Sequence, residues 1–426
     1  MKTLTLSTLA ALTLSTAAFA ETMTLYTDPT TGQVYTQSGE GREEMGDFVS
    51  AKEVYLQNQE QDSVVAKKAS KKKNVPVFAH ASKLKFSGLT YIGYTYNNVD
   101  DGQTSTGGNF KDDTSQFEIR RAYLQLKAYL LDDPKSYYRV TLDVHQDSKQ
   151  TGSGTDGDNL LRLKYAYLYV NAIAPYTGME FGIAHRPWHD YEEHNSWYYR
   201  DISKVLIEQG NGAHLSNSAD FGVMFKTKTQ YFDADYGIYN GEGYHDLQAN
   251  LGVSFEWRTT VHLLGVAGKD KQTKKTYWDA SFFGQYNMDH IETAANNTDD
   301  LIFGGLHTVY NQPEFLVSAQ YVQSQDTADN SSYTTKGSGS GYSVNGEYRL
   351  GDEKEYRILG RYDAWTPTEV SSVSEFQQNT YIAGVAWQEN DNVQWVANVD
   401  ITDDAKGSDR EKYNGTAFML TAQVEF

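Results

Sequence analysis

Residues 190–218 read DYEEHNSWYYRDISKVLIEQGNGAHLSNS. Asp190, Glu192, Glu193, Asp201 and Glu208 stand there against two permanent cations, Arg200 and Lys204. Fixed charges of both signs on one segment suit a constriction that sorts ions moving past it. His194 and His214 add little charge at pH 7. A second chemistry is formally available, because His185, His189, Asp190 and Ser196 contain a Ser/His/Asp set for nucleophilic catalysis. No nucleophile elbow accompanies that set, and 10 His in 426 residues bring such neighbours together by chance. The segment also carries Trp197, Tyr198 and Tyr199 and the apolar run Val205, Leu206 and Ile207. A loop fully in water gains nothing from these, so it is expected to pack against a surface.

The elements that must hold this segment are strands. Residues 84–426 divide into sixteen alternating stretches, near 84–97, 115–131, 135–149, 159–173, 177–189, 219–231, 233–245, 249–264, 276–288, 301–311, 314–326, 339–351, 355–366, 378–389, 393–402 and 415–426. In one, Ala122, Leu124, Leu126 and Ala128 share a face opposite Arg121, Tyr123, Gln125 and Lys127, the period of two that marks a strand. Connections alternate between tight turns such as DDP (132–134) and ENDN (389–392) and long polar loops such as 97–114 and 324–340. Short turns at one end and long loops at the other are how a transmembrane β-barrel arranges its ends. The expected fold is therefore all-β, a closed antiparallel transmembrane barrel of sixteen strands with an inserted constriction loop. Residues 258–300 leave eighteen open as the alternative, since TVHLLGVAGK could be a strand of its own. A soluble sandwich also alternates, but it has less use for long strands with aromatics at their ends.

Composition supports this class. The chain has 32 Tyr, 18 Phe and 7 Trp, only 7 Pro and no Cys, so disulfides and thiolate metal sites are excluded. No run after residue 20 approaches the length of an apolar spanning helix. Residues 1–20, ending Ala18-Phe19-Ala20, read as a secretory signal peptide. Its removal deletes one cation, Lys2, and leaves 36 basic against 56 acidic residues, a net charge of −20. Residues 21–83 read as a periplasmic segment and linker, with a short hairpin near 25–36 and a Lys cluster at 67–73. That cluster is a solvated linker or a contact for anionic headgroups. The last strand alternates to Phe426, an ending that resembles the signal outer-membrane proteins present to the barrel assembly machinery.

GIAHRPWHDYEEHNSWYYRDIS, with Gly182, Pro187, Ser196 and Arg200, resembles the constriction-loop region of the phosphate-selective porin O and P family. FEIRRAYLQLKAYL (117–130) and YRLGDEKEYR (348–357) resemble that family's second strand and a late turn. The resemblance spans 84–426 in patches and implies a homotrimer of sixteen-stranded barrels, each with its own pore. Phosphate selection itself needs a dense set of Arg and Lys, and the acid-rich loop departs from it.

The alternation assigns Arg121, Lys127, Arg139, Arg349, Arg357 and Arg361 to the lumen, with Asp143, Asp279, Glu347, Asp363 and Asp400. That near balance leaves most of the negative charge to loops and the N-terminal segment. The expected function is passive diffusion of small hydrophilic solutes and ions through a water-filled channel in the outer membrane of a Gram-negative bacterium. Both termini would be periplasmic, and outer-membrane lipid and lipopolysaccharide would be the surroundings. No cofactor is expected, although acidic outer loops such as 151–159 could take divalent cations. The alternatives are a solute-specific channel for phosphate, other anions or sugars, a structural or adhesive barrel, and an outer-membrane enzyme.

Overall fold

Strong period-two alternation demands a sheet with two different faces, and the computed structural model closes that sheet on itself. It describes residues 23–29, 34–48, 83–99, 114–146, 150–151, 154–155, 159–209, 212–244, 252–267, 272–291, 298–326, 338–367, 377–403 and 414–426. The chain divides into two units, Met1–Ala79 and His80–Phe426. The first holds β1 (Met23–Thr27), β2 (Val34–Tyr35) and β3 (Glu43–Phe48) in one antiparallel sheet with β1 in the centre. The hairpin expected near 25–36 is β1–β2. Strand β3, EEMGDF, is too rich in charge and glycine to read as a strand in the sequence. The signal peptide, the Lys cluster and most of 151–159 lie outside the described residues.

The second unit begins with β4 (Leu84–Val99), β5 (Thr114–Ala128) and β6 (Tyr137–Gln146). A small hairpin, β7 (Gln150–Thr151) and β8 (Gly154–Thr155), precedes β9 (Asn159–Ala174) and β10 (Thr177–His185). Helix α1 (Pro187–Asn195) follows. Then come β11 (Ala219–Lys228), β12 (Phe232–Tyr239), β13 (Ser254–Leu264), β14 (Tyr277–Ile291), β15 (Thr298–Gln312) and β16 (Phe315–Asp326). The last are β17 (Gly339–Leu350), β18 (Tyr356–Pro367), β19 (Gln378–Gln388), β20 (Val393–Asp403) and β21 (Gly415–Glu425). Strands β4–β6 and β9–β21 form one closed barrel of sixteen antiparallel strands, sealed where β21 pairs with β4 from Gly415↔Val99 to Glu425↔Leu89. Eighteen strands are excluded. TVHLLGVAGK is the second half of β13 and its exit, and the Lys-rich connection carries a 3-10 turn, Gln272–Lys274.

Outward side chains are apolar around the circumference, among them Leu306, Val385, Phe418 and Ile238. Aromatics gather near the strand ends, such as Trp278 with Tyr310 and Phe315 at the short-turn end and Tyr342, Tyr362 and Tyr381 at the other. Such girdles suit the two interfaces of a lipid bilayer.

One boundary differs in a way that matters. The stretch 177–189 was expected to be all strand, but β10 stops at His185. Arg186 is extended (φ −91°, ψ 141°) and Pro187 opens α1, where its missing N–H costs nothing because the first helical N–H groups have no helical partner. The chain thus leaves the wall four residues early. Just before it, Gly182 has φ +132°, and a Cβ there would stand 2.2 Å from the carbonyl oxygen of Ala166 on β9. Gly182→Ala should therefore break the β9–β10 pairing. Cold SDS gels, which separate compact barrels from unfolded chain, should show a clear fall in the folded fraction. Unchanged mobility would show that the strand tolerates the side chain.

Candidate functional site: the inserted loop and the passage beside it

Residues 186–218 connect β10 to β11, and their described parts, 186–209 and 212–218, run inside the barrel. Their base is clasped by Arg186, whose guanidinium donates to Ser216 Oγ at 2.6 Å, Asp220 Oδ2 at 2.9 Å and the Gly241 carbonyl at 3.0 Å. The aromatic and apolar residues noted in the sequence explain the insertion. Trp188, Tyr191, Trp197, Tyr199, Ile202, Val205, Leu206 and Ile207 are buried in one cluster. Their partners are inward side chains of the wall, Phe283, Leu301, Phe303, Val322, Leu359, Trp365, Ile382, Val396 and Met419. Trp188 stacks flat on Phe283 with centroids 3.7 Å apart. Each fully buried Leu, Ile or Phe here is worth about 1.5–3 kcal/mol, so the sum far outweighs any single polar contact.

Polar contacts fix where the loop sits. Tyr191 donates to Asp279 at 2.7 Å, Glu192 accepts from Gln320, and Ser196 Oγ meets His307 Nε2 at 3.1 Å and Ser318 at 3.0 Å. Tyr199 donates to Glu347, Arg361 donates to the Lys204 carbonyl at 2.7 Å, and Thr421 donates to Asp201. These partners lie on β14, β15, β16, β17, β18 and β21, so the loop is bound to one continuous half of the wall.

The other half is open. A cavity of about 1100 Å³ lies between the loop and the wall of β4, β5, β6, β9, β10 and β11. Tyr91, Tyr123, Lys127, Tyr137, Arg139, Lys164, Tyr165, Tyr167, Glu180, His185 and Lys226 line it from the strands. Asp190, Glu193, His194, Tyr198 and Arg200 line it from the loop. It extends to the short-turn end, where Lys274, Glu353, Glu355, Arg357, Glu389, Asp391 and Glu425 line it.

The six candidate constriction residues divide by which side of the loop they occupy. Asp190 accepts from Lys226 at 2.7 Å, and Arg200 pairs with Glu193 and, at 2.7 Å, with Glu208. Lys204 pairs with Glu208 at 3.2 Å. Burial alone would raise the Asp190 carboxyl, but Lys226, His185 and His194 hold it well below the usual range. Burial likewise opposes Glu208, which Arg200 and Lys204 hold low. Glu192 and Asp201 point the other way, into the loop's seat on the wall. Burial pushes Glu192 up to about 8 and also raises Asp201. They are not among the residues lining the cavity.

The candidate lumen residues divide likewise. Lys127, Arg139 and Arg357 line the cavity. Arg121 shares Asp143 with Arg162, at 2.9 and 3.0 Å. Asp279, Glu347, Arg349, Arg361 and Asp363 lie in or beside the seat. Arg349 pairs with Glu347 and donates to Asn311 at 2.9 Å, while Arg361 pairs with Asp363 and covers the Trp197 ring at 4.9 Å. Asp400, on β20, is half-buried.

Sequence reasoning missed Arg120, Arg162 and Lys164, and two β-bulges are the reason. One between Tyr91 and Ile92 leaves Arg120 opposite no residue of β4, so neighbouring Arg120 and Arg121 both make contacts on the loop side of the wall. The other, between Thr141 and Leu142, leaves Lys164 unopposed beside Tyr165. A bulge resets the period of two, and no local residue pattern announces it.

The hydrolase constellation does not assemble. Ser196 meets His307 rather than His185 or His189, and His185 Nδ1 lies 2.9 Å from Glu180. His189 is buried and held down to about 3.

No family model and no curated protein matches the chain. Solved structures do. The anion-selective porin of Comamonas acidovorans aligns with TM-score 0.56 and 11% identity, over 80% of this chain and 99% of that one. Salmonella typhi OmpF, in complex with daunomycin, gives 0.54 and 11%, over 80% and 97%. A loop-L8 deletion mutant of Vibrio cholerae OmpT gives 0.53 and 14%, over 80% and 99%.

Two expectations follow from the seat. Leu206→Ala should destabilise the folded protein by about 2–5 kcal/mol, read as a lower heat-modification midpoint. Glu192 holds its proton to about pH 8 when folded, against an ordinary value of 4.5. The folded state therefore binds more protons across that window, and stability falls as pH rises through it. Near-UV circular dichroism of Trp188 and Trp197 should loosen on alkalinisation, and Glu192→Gln should flatten the response. An equally steep profile in Glu192→Gln would place the titration elsewhere. By its closed sheet and by these neighbours, the chain has the porin-like fold, an all-β barrel of sixteen antiparallel strands.

Proposed function

We propose that this protein is an outer-membrane porin, a water-filled channel for passive diffusion of small hydrophilic solutes and ions. The observation that carries the reading is the eccentric cavity: about 1100 Å³ of polar-lined space beside an inserted loop, inside a barrel whose outer face is apolar. The transverse field at the constriction would run from Arg139 and Lys164 on the wall to Asp190 and Glu193 on the loop. The resemblance of 182–203 to the constriction region of phosphate-selective porins supports the same role for the loop.

The outer membrane of a Gram-negative bacterium is the compartment this reading requires, with the short turns and both termini periplasmic. A homotrimer is the expected assembly, as one of the similar structures, Vibrio cholerae OmpT, is described in a trimer form at TM-score 0.52. Insertion through the barrel assembly machinery would use β21 and Phe426.

A structural barrel with a closed lumen is the second reading, favoured by the extent of the loop's buried contacts. Single-channel recording in planar bilayers separates the two. The porin reading expects stepwise conductance in 1 M KCl, in groups of three for a trimer. Silence at every voltage, from protein shown to be folded, would favour the closed barrel.

A further inference from the structure

Most cations around the cavity are spent on carboxylates. Lys226 holds Glu180 and Asp190, and Arg200 holds Glu193 and Glu208. Arg139 and Lys164 differ, for neither pairs with a carboxylate among the described residues. Arg139 lies over the Tyr165 ring at 4.6 Å and beside Tyr167 at 5.7 Å. Its Nε donates to Thr141 Oγ1 at 3.0 Å, and its Nη1 meets Tyr167 Oη and His185 Nε2, both at 3.2 Å. Lys164 is only 4% exposed, over the Tyr123 ring at 4.5 Å and 5.3 Å from the same Tyr165 ring. Among the described residues its one hydrogen bond is to Tyr123 Oη, at 3.4 Å.

Aromatic faces stabilise a cation without neutralising it. His185 adds no charge when neutral. With Glu180 2.9 Å from Nδ1, the proton sits on Nδ1 and leaves Nε2 to accept from Arg139. Lys164 is thus buried and Arg139 half-buried against aromatic rings, with Asp190 Oδ1 3.8 Å from His185 Nε2, and among the described residues donors are left over: both N–H groups of Arg139 Nη2 and two of the three on Lys164.

We propose that Arg139 and Lys164 form a binding subsite for a small carboxylate anion in the passage. The proposal rests on the channel reading above and names the solute class it favours. Four remaining N–H groups match the two oxygens of one planar carboxylate, which a guanidinium edge engages well. A phosphate dianion carries more acceptor oxygens than this pair can satisfy.

The test is bilayer recording of the full-length protein in potassium acetate, potassium chloride and potassium phosphate, with reversal potentials under a salt gradient. Wild type, Arg139→Gln, Lys164→Gln and the double variant are compared with Lys135→Gln, an exposed turn lysine, as the charge control. Cold SDS gels first establish that each is folded. Wild type should prefer anions, and its conductance should saturate in acetate. Each substitution should raise half-saturating acetate about 10-fold, as expected for losing one charge-assisted hydrogen bond, and the double variant should lose anion preference. Current from wild type with no change in the double variant overturns the subsite and leaves the channel standing. Saturation at lower phosphate than acetate overturns the carboxylate assignment. No current from wild type overturns the channel reading itself.

Discussion

Sixteen strands enclose more space than their own inward side chains can fill, and contact between residues 186–218 and the apolar half of the lumen resolves this. Barrel interiors in lipid are ordinarily polar. Here β14–β21 turn Phe283, Leu301, Phe303, Val322, Leu359, Ile382 and Val396 inward, and the loop covers them with Trp188, Trp197, Leu206 and Ile207. Those strands thus carry an apolar outer face and a mixed inner one, where the apolar side chains meet the loop and Asp279, His307, Gln320, Glu347 and Thr421 anchor it. The open space is what remains, and it falls on the polar side formed by β4–β6 and β9–β11.

That division sorts the charges. Ionisable groups on the covered side, such as Arg361 with Asp363 and Arg349 with Glu347, are paired and serve to position the loop. On the open side Lys226 and Arg200 are paired as well, with Glu180, Asp190, Glu193 and Glu208, while Arg139 and Lys164 lie against tyrosine rings. The whole-chain charge of −19 says little about either, because both signs line the cavity throughout: Lys127, Arg139 and Lys164 with Glu180, Asp190 and Glu193 inside, and Lys274 and Arg357 with Glu353, Glu355, Glu389 and Glu425 at its mouth. Local fields rather than the total charge are what each region of the cavity presents.

The barrel was largely legible in the sequence because its signals are local and repeated. Each strand alternates and each short turn is polar, so all sixteen strands could be located, with errors of a few residues at ends such as 249 against Ser254. The loop was legible as an oddity, for Trp197-Tyr198-Tyr199 has no business in water. Which wall it meets was not, since that depends on residues more than a hundred positions away, as with Ser196 and His307. Glu192 and Glu193 show the limit. Adjacent in sequence and alike in charge, they face opposite sides of α1, one towards Gln320 and one towards Arg200. The bulges at Arg120 and Lys164 hid two cations in the same way, because parity counted along a strand holds only until it is broken.

The seam between β21 and β4 has one further consequence, which concerns assembly order. The last strand supplies both the hydrogen-bonding edge that closes the sheet and two of the loop's anchors, Met419 and Thr421. Residues 186–218 come before β11–β21 in the chain, so the loop's seat is complete only once those later strands have formed. Closing the sheet and seating the loop then become one cooperative event with very long sequence separation, which slows the final step. Until that step the inward apolar faces of β14–β21 have no cover, and the half-closed sheet exposes hydrophobic surface on both sides.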